Sequence, residues 1–106
     1  MDNRDYIILL YDYYGELFSL KQREYFEDYY FNNLSLGEIG DNIGISRNAV
    51  HKVIKNVSDK LLFYEDKLQL CSKSVKIKDI LKNAPSDIKE KIEELLWNIW
   101  IRISCL

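Results

Sequence analysis

The sequence predicts an all-α protein: a helical bundle that contains a helix-turn-helix, a long central helix and a C-terminal helical tail. Three observations predict it. Helix breakers are scarce, with one Pro and four Gly in 106 residues. Apolar residues recur at i, i+3 and i+4 through most of the chain, the signature of helices with one buried face. Capping signatures precede two of these runs, at Ser19-Leu20-Lys21-Gln22 and Ser35-Leu36-Gly37-Glu38.

Residues 5–18 form the first helix, with Ile7, Leu10, Tyr11, Tyr14 and Phe18 on one face. The run is rich in β-branched and aromatic residues, so a strand is the competing reading. Asp12, Gly15 and Glu16 favour the helix, and Gly15 marks its end. The second helix opens at Ser19 and runs to Asn32, where Asn32-Asn33 stops it. Leu20, Tyr25, Phe26, Tyr29 and Tyr30 give it an apolar, aromatic face. Such a cluster can stack bases. Its helical spacing favours a bundle core instead, and Glu24, Glu27 and Asp28 beside it repel phosphates.

Residues 35–61 read as the helix-turn-helix. Ser35 and Glu38 cap a short helix with Ile39 and Ile43 on its apolar side. Gly40 lets a second helix approach, Gly44 makes the corner, and Ile45 plugs it. Ser46 caps the second helix. Its stripe of Val50, Ile54, Val57, Leu61, Tyr64 and Leu68 alternates 4-3 with no Gly or Pro before Cys71. This predicts one helix of about 24 residues, ~36 Å long. A compact head does not need that length, so the far end must pack on the C-terminal region or on a second subunit.

Beyond it, Ser72-Lys73-Ser74 reads as a turn, 76–82 as a short helix, and Asn83-Ala84-Pro85 as a break. Ser86 caps a last helix with a stripe of Ile88, Ile92, Leu95, Ile99 and Ile103. Leu96, Trp97, Trp100 and Ile101 widen that stripe until the final turns are apolar nearly all round. A surface helix would not be. Paired Trp residues suit an interface hot spot or an intrachain core; the length of the preceding helix favours the homodimer. The expected organisation is a head, residues 1–70, carrying the helix-turn-helix, and an extension, residues 71–106, that dimerises.

The formal charge is −2, unevenly spread. Residues 1–34 carry three basic and seven acidic side chains, residues 35–70 five of each, and residues 71–106 seven basic and five acidic. Between Ser46 and Lys60, Arg47, Lys52, Lys55 and Lys60 stand against Asp59 alone. With the apolar stripe buried, Asn48, His51, Lys52, Lys55 and Asp59 point away from it, and Arg47 flanks the N-terminal edge. In a helix-turn-helix this is where base edges are met. Arg47 suits guanine and Asn48 adenine. His51 suits a base or a phosphate. Lys52 and Lys55 suit phosphates, and Ser35 or Ser46, each at its helix N-terminus, suits one more.

No nucleophile–base set and no Gly-rich phosphate loop is present, so no enzyme and no cofactor is expected. His51 is the only His and lacks ligand partners, so no metal is expected. Cys71 and Cys105 have no metal-ligand spacing and read as reduced thiols. No apolar run approaches the ~18 residues of a membrane span. MDNRDY has no signal-peptide layout. A cytoplasmic location follows.

The stretch SLGEIGDNIGISRNAVHKVIKNVSDKL resembles the helix-turn-helix of sigma-factor region 4. Over a wider span, LYDYYGELFSLKQREYFEDYYFNNLSLGEIGDNIGISRNAV followed by YEDKLQL resembles the YlxM family of small bacterial proteins. The resemblance covers about two thirds of the chain, Leu10 to Leu70. It implies a sigma region 3/4-like helical fold. It also implies, from the gene neighbourhood of the family, a regulatory role in the signal recognition particle pathway. The implied function is a DNA-binding regulator. The alternative is an RNA- or protein-binding accessory factor of that particle, and a third is an assembly module acting through its tail. Sigma-type motifs usually carry Ala where Gly40 stands, and Gly37 adds a second glycine. Each costs about 1 kcal/mol in a helix interior, which predicts a short, soft first motif helix.

Overall fold

The computed structural model describes the backbone of residues 3–105 and the side chains of residues 3–96. The elements in order are α1 (Asn3–Tyr14), a 3-10 turn (Gly15–Leu17), α2 (Leu20–Tyr30), α3 (Leu36–Ile43), α4 (Arg47–Leu68), α5 (Leu70–Leu81) and α6 (Ser86–Cys105). No strand occurs among the described residues, so residues 5–14 are helical and the strand alternative falls. Gly15 ends α1 as expected; the chain to Leu17 tightens into the 3-10 turn.

α4 is the spine, with α1, α2, α3 and α5 all packed against it. Its buried stripe is Val50, Ile54, Val57 and Leu61. The lower half meets α1 and α2: Ile7, Leu10, Tyr14, Phe18, Phe26, Val57 and Leu61 form one core cluster. Tyr11 stacks on Phe26 with ring centroids 4.2 Å apart, and Tyr30 lies 4.4 Å from Phe26 on another side. The aromatic residues of α2 are therefore core, and no stacking platform for bases. Leu20 is not part of that face. It is 80% exposed, because it occupies the first turn of α2 before the helix meets its neighbours. The ends of α1 and α2 are tied by charge. Arg4 donates to the Tyr30 carbonyl at 3.0 Å, at the electronegative end of α2, and its guanidinium lies 4.9 Å from the Tyr30 ring centroid. Arg23 pairs in bidentate fashion with Glu16, clamping the 3-10 turn to α2.

The second half of the spine departs from the sequence expectation. α4 ends at Leu68, 22 residues long, and Gln69 adopts a left-handed conformation at φ 55°. Ser72–Ser74 is not a turn; it lies inside α5. The cause is Glu65. Its side chain is buried on the same stripe, one helical turn past Leu61. It accepts from the Tyr14 hydroxyl at 2.6 Å and from the backbone N–H groups of Cys71 at 3.1 Å and Ser72 at 3.0 Å. The Tyr14 oxygen accepts in turn from the Leu70 N–H at 3.0 Å. Three orphan donors at the start of α5 are thus satisfied by one acid and one phenol, and the acid also suits the positive end of the helix dipole. Burial, followed by the bond to Glu65, pushes the Tyr14 hydroxyl well above the usual phenol range. The turn lets α5 pack on both α1 and α4.

α6 contacts α1, the 3-10 turn and α5. Its N-cap is Pro85, whose carbonyl accepts from the Lys89 N–H, so Ser86 is already helical and does not cap it. The predicted stripe is only partly covered: Ile92 is half-buried, whereas Ile88 is 46% and Leu95 63% exposed. Of the expected interface, Leu96 is half-buried; the side chains of Trp97, Trp100 and Ile101 lie outside the described residues.

The helix-turn-helix consists of α3, the corner at Gly44 and the first half of α4. Ile39, Val50, Ile54 and Tyr25 are its buried centre, with Leu34, Leu36, Ile45 and Val53 around them. Gly44 turns the corner at φ 82°, and its N–H and that of Ile45 both donate to the Gly40 carbonyl. Ile43, expected in the core, is 42% exposed: it is the last helical residue, and the left-handed corner diverts the chain beyond it. A Cβ on Gly40 would sit 2.6 Å from the Ile45 carbonyl oxygen. Gly40 is a packing requirement here, and α3 is short as expected, eight residues long.

Two tests follow. Glu65→Gln and Tyr14→Phe each remove charge-assisted bonds from a buried network and are expected to cost about 2 kcal/mol. Circular-dichroism melting would then show the midpoint lowered by roughly 10 °C. An unchanged midpoint for both would remove the corner from the account of stability. For the two α3 glycines the expected signs are opposite. Gly40→Ala forces backbone apart and costs about 2 kcal/mol. Gly37→Ala meets only the Ser35 hydroxyl at 3.9 Å and gains about 0.5 kcal/mol from helix propensity. Equal effects in urea titrations would refute this assignment.

Candidate nucleic-acid interface

The exposed side of the motif is built by its caps. Ser35 Oγ accepts from the Glu38 N–H at 3.1 Å while Glu38 accepts from the Ser35 N–H at 3.1 Å, a reciprocal box that fixes where α3 begins. Ser46 Oγ accepts from the Ala49 N–H at 3.1 Å and fixes the start of α4. The Ser46 oxygen is thereby committed to the helix; its hydroxyl hydrogen stays free to donate outward.

With Val50 and Ile54 buried, Arg47, Asn48, His51, Lys52 and Lys55 are all exposed, as is Ser46. They share the first turns of α4 and form one continuous polar surface. Arg47, Asn48, His51 and Lys52 make no side-chain hydrogen bond or ion pair within the described residues. Lys55 differs: its ammonium lies 3.6 Å from Asp59, one turn on, and both side chains are exposed. That pairing is weak in water. It nevertheless sets a carboxylate beside the cation that this end of the surface offers to a phosphate. The expected six-residue set is therefore brought together, with two members partly engaged.

Beside this surface lies a groove of about 300 Å³ between α1, the end of α2, the start of α3 and one flank of α4. His51, Ile54, Lys55 and Asp59 line its α4 wall, and Tyr29 and Tyr30 the opposite one. Sequence reasoning missed it, because the N-terminal residues of α1 reach it only through tertiary packing. Among the described residues no group of three or more His, Cys, Asp or Glu side chains is placed to hold a metal. No helix there is long and apolar enough to cross a membrane.

The fold agrees with what the chain is similar to. The family model UPF0122, described as "Putative helix-turn-helix protein, YlxM / p13 like", matches residues 1–98. A UPF0122 protein of Caldanaerobacter subterraneus subsp. tengcongensis is 52% identical over 68 residues, covering 64% of this chain and 58% of that one. A UPF0122 protein of Thermoanaerobacter sp. strain X514 is 44% identical over 88 residues, 83% of this chain and 72% of its own. One from Oceanobacillus iheyensis is 41% identical over 100 residues, 90% and 95%. The chain thus spans less than two thirds of the first of these relatives and most of the other two. No solved structure matches it. On the match over residues 1–98, the chain belongs to the UPF0122 family of YlxM / p13-like helix-turn-helix proteins.

Proposed function

We propose that the protein is a DNA-binding regulator whose α4 enters the major groove. One observation carries this reading: Arg47, Asn48, His51 and Lys52 stand exposed and unpaired on the opening turns of the second helix of the motif. These side-chain types are the ones that read base edges and phosphates there. Arg47 and Asn48 contact bases, His51 a base or phosphate, and Lys52 and Lys55 the backbone, with Ser46 donating to a further phosphate. The role is binding, not catalysis, and its setting is the cytoplasm.

A second reading is favoured by the Lys55–Asp59 pair, which lowers the charge this surface offers to a duplex of any sequence. In it, the same surface contacts structured RNA or protein of the signal recognition particle pathway, where shape outweighs base readout. The extension, residues 71–106, joins two copies through Leu96, Trp97, Trp100 and Ile101.

Titration of a randomised duplex pool at low salt tests the first reading. Lys52→Ala is expected to weaken all sequences uniformly, and Arg47→Ala to cost about 1–3 kcal/mol and relax one position of the preferred site. Absence of duplex binding, together with retention of particle RNA against competitor DNA, would replace the first reading by the second. For the dimer, Trp97→Ser with Trp100→Ser is expected to halve the mass seen by light scattering; an unchanged mass refutes it.

A further inference from the structure

We infer that α5 is a second nucleic-acid contact, binding the phosphodiester backbone without reading sequence. The inference rests on the nucleic-acid reading above and extends it to an element outside the helix-turn-helix.

Between residues 67 and 82 the chain carries Lys67, Lys73, Lys76, Lys78 and Lys82 against Asp79 alone. All five lysines are exposed. Lys67 lies 3.7 Å from Asp66 and Lys82 3.3 Å from Asp79, but Lys73, Lys76 and Lys78 have no carboxylate partner within 4 Å among the described residues. This cationic density is at least that of the opening of α4, where Arg47, Lys52, Lys55 and Lys60 stand against Asp59. The chemistry differs. α5 has no Arg, Asn, Gln or His, the types that pair with base edges. Lys is a hydrated point charge on a flexible stem, suited to phosphates. Recognition and anchoring are thus divided between two helices.

The distance is short enough for one ligand to span both. From Lys52 to Gln69 is about 26 Å along α4, less than one duplex turn of about 34 Å. The outer faces of α1 and α2 repel the same ligand: they expose Asp5, Asp12 and Glu24 against Lys21. Two other partners fit α5 less well. A second copy, across a two-fold axis, would set these lysines against themselves. An anionic lipid surface would use the exposed Val75 and Ile80, but two aliphatic side chains fall short of the apolar face that interfacial helices carry.

The test compares the full chain with Lys73→Gln/Lys76→Gln/Lys78→Gln, Lys52→Ala and Arg47→Ala. The probes are a duplex of about 30 base pairs, a hairpin RNA, and vesicles containing phosphatidylglycerol. Because the three lysines are exposed, the triple variant is expected to melt as the parent does. Its affinity for nucleic acid is expected to fall at least ten-fold at low salt, and its log K–log salt plot to flatten by about 2–3. Any sequence preference stays unchanged. Affinity and slope equal to the parent's overturn the inference. So does a loss confined to vesicles, which would make α5 a lipid contact. If the triple variant loses binding while Lys52→Ala and Arg47→Ala keep it, the inference stands and the recognition role of α4 falls.

Discussion

The carboxylate of Glu65 is the contact on which the shape of this chain depends. Taking a carboxylate out of water costs several kcal/mol unless donors replace the lost hydration. Here a phenol and two backbone amides replace it, all at hydrogen-bonding distance. The amides are those that α5 leaves unsatisfied by starting, so the acid and the helix start answer each other's deficits. Tyr14 adds a third amide, from Leu70, and anchors the corner to α1, 51 residues away in sequence from Glu65. Without this junction, Leu68 and Leu70 carry no Gly or Pro to stop the helix, and the spine would run on into solvent.

A corner at Gln69 decides what else α4 can do. Its first half is a side wall of the motif, its second half a wall of the α1–α2 core, and both are set on one rigid helix. The position of the exposed turn at Arg47–Lys52 is therefore tied to the aromatic core through α4 itself. At the other side it is tied through Gly40, where absence of a side chain brings the Ile45 carbonyl close. A surface held from both sides loses little side-chain-independent freedom on binding, the condition under which a few contacts suffice.

Periodicity made α1 to the first half of α4 legible, and the capping boxes located the start of α2 and of α3 within a residue. The same rule failed where its premise failed. Leu20 and Ile43 have the right spacing but sit at helix ends, where no neighbour covers them. The expected stripe continues from Leu61 through Tyr64 and Leu68, but Leu68 is 46% exposed and the buried position at i+4 from Leu61 is Glu65. Its partner is distant in sequence, so no local window contains the pair. Residues 72–74 were misread for the same reason: Ser, Lys and Ser favour a turn only if nothing supplies α5 with acceptors. For the candidate site, the residues on α4 follow from helical phase alone. The Lys55–Asp59 pairing was implicit in their i, i+4 spacing, whereas the groove beside His51 required α1.

Charge gives the last constraint. The total of −2 is a poor guide, because the folded chain separates it. Three of the seven acidic groups of residues 1–34, Asp5, Asp12 and Glu24, face solvent on α1 and α2, while Glu16 is consumed by Arg23 and Glu27 by the Tyr11 hydroxyl. Arg47 and Lys52 at the opening of α4 and Lys73, Lys76 and Lys78 on α5 are exposed cations with no carboxylate partner among the described residues. At physiological salt, fields fade within about 8 Å, so a polyanion responds to the element it touches and not to the sum. Approach along α4 meets cations first at one end and again past the corner; approach from α2 meets carboxylates. The corner that Glu65 makes therefore also sets where the cations of α5 stand relative to those of α4.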